Sequence, residues 1–196
     1  MQKIKVLSVL LVCSFFSVWL FSALPMVQPG NAVEEPTAET ASILIILDIW
    51  RIDIGAYKEI CSEPKLSLEE FNLMAVMSSK SGVPMSQIWK WRKMKIEWQS
   101  ILKRIGLTLE DVVPRSEKKW GEPYQFCYSY WREKGDPKKV FLFSDYNFEK
   151  LGEIMTLAKY SEKSVDTVIE EMTKGGSFRE LSLKYYKEKT KKTKRR

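Results

Sequence analysis

Adjacent carboxylates, Glu69-Glu70, Glu110-Asp111 and Glu170-Glu171, are the residues whose type first suggests acid–base chemistry. Neighbours on a helix project about 100° apart, so no pair converges on one reacting atom. Glycoside hydrolysis needs only two carboxylates brought together by a fold, which leaves a carbohydrate-active enzyme as a third reading of the chain. Histidine is absent, and with it go Ser-His and Cys-His nucleophiles, imidazole bases and histidine-containing metal sites. No phosphate loop, nucleophile elbow, CxxC pair or dinucleotide fingerprint occurs. The chain is therefore expected to be non-enzymatic, with no cofactor and no metal.

Two runs carry binding chemistry instead. From Trp120 to Trp131 six of twelve residues are aromatic: Trp120, Tyr124, Phe126, Tyr128, Tyr130 and Trp131. Tyr124, Phe126, Tyr128 and Tyr130 share one face of a strand, whereas Tyr124, Cys127, Tyr128 and Trp131 share one face of a helix, and periodicity does not choose. Such a run either staples two units together by burial or offers flat rings and hydroxyls to a partner. The second run, Lys90, Trp91, Arg92, Lys93 and Lys95, joins cations to an aromatic ring. It reads as a solvated helix face, a basic face meeting an acidic one, or an anion-binding surface.

Net charge is +7, and Lys184–Arg196 alone supplies that excess. Residues 33–183 hold 22 basic and 24 acidic side chains, so the body is nearly neutral. The terminal Lys/Arg run is expected to be a solvated, disordered end or an electrostatic arm for a polyanion.

Elements must position these runs. Lys3 and Lys5 precede an uncharged apolar stretch, Val6–Val27, and Gly30 and Ala32 place small residues at −3 and −1 before Val33. Residues 1–32 are expected to be a signal peptide or an N-terminal membrane anchor, with the folded part extracytoplasmic: periplasmic, secreted or tethered facing outward. Cys61 and Cys127 would then be an even pair for which one disulfide is permitted, the alternative being two buried thiols.

Residues 33–42 read as an acidic tether. Ile43, Ile46, Leu47, Trp50, Ile54, Tyr57 and Cys61 follow helical spacing, while Leu47, Ile49, Ile52 and Ile54 also permit a short strand. Beyond them the chain lies on itself with a shift of 80 residues, pairing Phe71 with Leu151, Met74 with Ile154, Ile88 with Val168 and Trp98 with Phe178. The fold expected is mainly α: two divergent three-helix units of about 40 residues joined by an aromatic-rich connector. Ser67-Leu-Glu-Glu70 has the form of a capping box. The expected boundaries are 43–106 for the first helical unit, 107–146 for the connector, 147–186 for the second unit and 187–196 for the basic tail.

Within the units Ser78, Gly82 and Ile88 recur as Ala158, Glu162 and Val168. The stretch Leu157–Ile169 resembles a helix-turn-helix of the DNA-binding kind, which implies nucleic-acid binding as the alternative function. The preferred expectation is an exported or membrane-tethered binding or structural component of a cell envelope. It would recognise a protein or an anionic envelope polymer through Trp120–Trp131 and Lys90–Lys95.

Overall fold

The computed structural model describes residues 35–61 and 66–194. The expected signal or anchor segment, 1–32, lies outside the described residues. The protein is mainly helical, and among the described residues there is no strand and no helix long and apolar enough to cross a membrane. In chain order the helices are α1 Ala38–Trp50, α2 Ile54–Cys61, α3 Leu68–Ser81, α4 Met85–Lys93, α5 Trp98–Arg104, α6 Leu109–Val112, α7 Phe126–Glu133, α8 Asp145–Ser161, α9 Val165–Thr173 and α10 Phe178–Lys194.

Side-chain caps fix where several of them begin. Ser67 Oγ accepts from Glu70 N at 3.1 Å while Ser67 N donates to Glu70 Oε2 at 3.5 Å, the capping box that the sequence indicates. Ser144 with Asn147, Ser164 with Thr167 and Ser177 with Glu180 start α8, α9 and α10 in the same way. Two ends differ from the boundaries read in the sequence. Thr37 Oγ1 accepts from Thr40 N at 3.1 Å, so α1 begins inside the stretch read as a tether, and Ala41 and Ser42 are buried. The stretch read as a disordered tail continues α10 to Lys194, held by a Lys187–Glu35 ion pair of 2.6 Å and by Lys189 Nζ 4.2 Å above the Tyr160 ring.

The centre is the crossing of α3 and α8. Phe71 to Met77 are all buried, whichever way they face, so α3 is wrapped on all sides. Gly152 of α8 makes the close approach possible: a Cβ there would lie 3.5 Å from the Leu73 Cα and from Asn72 Nδ2. A buried polar chain ties α1 to the same place, with Trp50 Nε1 donating to Thr156 Oγ1 (2.8 Å) and Thr156 Oγ1 donating to Asn72 Oδ1 (2.7 Å). α10 lies along α1 as its most extensive neighbour, and α4 and α9 flank the central pair.

Breaks between helices use left-handed residues. Gly82 ends α3 at φ 75°, which costs glycine nothing, whereas Glu162 ends α8 at φ 59°, which strains any residue with a Cβ. Arg51, at φ 53°, likewise divides what reads as one helical pattern from Ile43 to Cys61 into α1 and α2. Replacing Glu162 by glycine is therefore expected to stabilise the protein by roughly 0.5–1 kcal/mol. A urea midpoint that falls instead would show that the Glu162 side chain compensates its own strain.

Candidate functional site

The aromatic run folds as a loop followed by α7, and most of it faces inward. Tyr124, Cys127 and Tyr130 are buried, and Phe126, Tyr128, Trp131 and Trp120 are half-buried. Phe126 lies 4.2 Å from the Phe143 ring, and Tyr130 meets Trp131 and Phe141 edge to face at 5.6 and 5.1 Å. The indole donors are used internally: Trp131 Nε1 donates to Val113 O at 3.1 Å, and Trp120 Nε1 to Asp166 Oδ1 at 2.9 Å. Burial works against the Asp166 carboxylate, but hydrogen bonds from Ser116, Trp120 and the Glu117 amide hold it below the usual carboxylate range. Asp166 thereby clamps the connector to the start of α9. Half-buried Tyr128 has the Arg132 guanidinium 5.2 Å from its ring centre.

Burial pushes the Tyr124 hydroxyl and the Cys127 thiol each up to about 12, so neither serves as a nucleophile at neutral pH. Cys61 is half-buried at the end of α2, and no disulfide joins it to Cys127. Cys127 instead packs in the aromatic core as a small apolar side chain.

The basic run divides. Lys90, Lys93 and Lys95 are exposed, while Trp91 packs partly against the core. Arg92 is enclosed: Nη2 pairs with Glu70 Oε1 at 3.1 Å, Nη1 with Asp145 Oδ2 at 2.9 Å and with Ile96 O at 3.0 Å, and its guanidinium stacks 4.3 Å from the Trp98 ring. Asp145 Oδ1 also accepts from Trp98 N at 3.1 Å, capping α5. Arg92 is thus a clasp between α3, α4 and α8, and its charge is already matched by two carboxylates.

Other residues make the open surface. Among the described residues the large apolar side chains left exposed are Met94 (64%), Val140 (78%), Leu142 (75%) and Tyr146 (56%). Met94 follows α4, and the other three lie in or just after the extended segment before α8. Hydrogen bonds hold the two stretches side by side: Gln99 Nε2 donates to Phe141 O at 3.3 Å, and Asp145 receives both Arg92 and Trp98 N. Beside them opens a cleft of about 1080 Å³ lined by Phe126, Leu142, Phe143 and Tyr146, with Glu97, Glu122 and Asp145 as its charged groups. Gln125 also lines it, and its Oε1 is buried without a hydrogen bond. Of the residues singled out in the sequence, the cleft takes up Phe126 alone. The alternation Val140, Leu142 outward and Phe141, Phe143 inward is a period of two that the sequence carries, although nothing local says which face meets solvent.

No family model matches the chain, and no curated protein or solved structure matches it.

One internal carboxylate stands apart. Glu153, on α8, is fully buried and accepts both its hydrogen bonds from Lys150 Nζ at 2.8 Å. Burial pushes it up to about 7 against the pull of Lys150. It does not line the cleft, and among the described residues no cluster of acids and thiols could hold a metal.

Proposed function

We propose that this chain is a non-enzymatic protein-recognition module, exported or membrane-tethered by residues 1–32, whose working surface is the cleft beside Leu142 and Tyr146. The observation that carries the reading is the cleft walled by Phe126, Leu142 and Tyr146, with exposed Met94 and Val140 on the two hydrogen-bonded stretches that flank it in the chain. Clustered exposed apolar side chains with a polar rim mark protein contact surfaces, whereas single ones carry no such meaning. The lysines at Lys3 and Lys5 and the apolar stretch after them support the extracytoplasmic assignment.

The scaffold is read as two three-helix units of one ancestral pattern. α3, α4 and α8, α9 end 80 residues apart, at Ser81 and Ser161 and at Lys93 and Thr173, and α5 and α10 start 80 apart at Trp98 and Phe178. Asn72 and its counterpart Gly152 meet at the central crossing, as equivalent residues do near a two-fold axis. The aromatic connector then serves as the staple between the units, and recognition moves from its rings to the neighbouring cleft.

A photoreactive residue placed at Leu142 of the full chain in its own cells tests the assignment. A discrete polypeptide adduct is expected from Leu142 and none from the exposed Lys174 just after α9. Equal labelling at both positions, or none at Leu142, would overturn it.

A further inference from the structure

The charge of the cleft and the composition of the chain beside it define what fits there. Among the residues that line it there is no lysine or arginine, while exposed Glu97 and Glu122 supply carboxylates, Asp145 being already paired with Arg92. Its walls are apolar at Phe126, Leu142 and Tyr146. A fitting ligand is therefore an apolar side chain set among cations. The end of α4 has that composition: Met94 is 64% exposed and stands among exposed Lys90, Lys93 and Lys95.

We propose that this face binds a second copy of the chain, Met94 and its lysines entering the partner's acidic cleft while the partner's Met94 enters this one. Adjacency is the reason for a closed pair. Met94 and Lys95 lie two or three residues before Glu97, so projection and cleft sit side by side on one face. A two-fold axis between them mates both at once, as an isologous interface requires, whereas widely separated surfaces would build an open filament. Methionine suits the projection, since its unbranched thioether adapts to an irregular apolar wall. Opposite charges at the rim fix orientation and raise the association rate, which makes the pair sensitive to salt.

The inference rests on the cleft being a protein-recognition surface, and charge exchange separates the two ideas. Full-length protein in mild detergent is followed by sedimentation at low and high salt. Wild type is expected to dimerise and to weaken with salt. The variant carrying Lys90→Glu and Lys95→Glu, and the variant carrying Glu97→Lys and Glu122→Lys, are each expected to lose at least ten-fold in self-association. An equimolar mixture of the two is expected to recover it, because both junctions of the mixed pair regain opposite charges. Recovery also shows that each variant is folded. A monomeric wild type, or a mixture that stays monomeric, overturns the proposal.

The Leu142 adduct distinguishes this failure from that of the recognition surface. An adduct containing two copies of this chain supports the dimer. An adduct with a different polypeptide, or one within a single chain to residues 1–34, removes the dimer and leaves the surface. No adduct removes both.

Discussion

Arg92→Met is expected to lower the unfolding free energy by about 3 kcal/mol, the scale for removing one partner from an enclosed ion pair. The guanidinium side chain is 13% exposed, and its loss strands Glu70, which is 18% exposed, together with Asp145. It also removes the stack on Trp98 and the donor to Ile96 O. Arg92→Lys is expected to recover less than half of the loss, because one ammonium cannot face two carboxylates and lie flat on an indole. Lys90→Ala and Lys95→Ala, at exposed positions of the same run, are expected to change stability by less than about 0.5 kcal/mol. Urea denaturation of the four variants provides the comparison. A loss at Arg92 no larger than at Lys90 would remove the clasp from the account of the fold.

Glu153→Gln is expected to flatten the stability of the protein between pH 5 and pH 8. Buried Glu153 holds its proton up to about 7, above the ordinary glutamate value, so the folded state binds that proton more tightly than the unfolded chain does. Its contribution is complete below about pH 4.5 and is lost as pH rises through 7; a shift of that size corresponds to about 3 kcal/mol. Lys150, Glu69 and Glu149 face the group, the cation opposing the shift and the two acids adding to it, and Glu149 is itself raised by burial. At pH 8 the glutamine variant should therefore exceed wild type in stability, and at pH 5 the two should nearly coincide. Parallel curves for the two proteins would place the charge of Glu153 in water. At lower pH the sign reverses. Burial alone would raise Glu171, but Lys163 and Lys184 hold it down at about 2, so its contribution disappears as pH falls from about 4.5 towards 2.

Much of the helical layout was legible because its signals are local. Ser67 with Glu70, the glycine at 82 and the apolar spacing of Phe71, Met74 and Met77 each act within one or two turns. Where a left-handed break falls on Arg51, the sequence shows an uninterrupted pattern and the helix boundary is hidden. The lysine run after Lys184 concealed a helix for a related reason. Lysine is a good helix former, and what orders the end of α10 is Glu35 and Tyr160, far away in sequence.

Function depends still more on distant partners. Arg92 and Lys90 are alike in their local context. They differ because Glu70 and Asp145, 22 and 53 residues from Arg92, close over one of them. The aromatics of the connector could equally have been presented or buried until the Phe141 and Phe143 rings were in place.

The pairing of α1 with α10 makes folding wait for a distant part of the chain. The first described helix presents Ile45, Ile46 and Trp50 to the core, and its most extensive neighbour is the last described helix, far along the chain. Until residues 178–194 emerge, part of the apolar surface of α1 has nothing of its own chain to cover it, and the Glu35–Lys187 pair cannot close. The long loop between the two ends carries its entropy cost to the final step. A chain stopped short of α10 would thus expose a sticky helix, the kind of segment that chaperones hold and proteases remove.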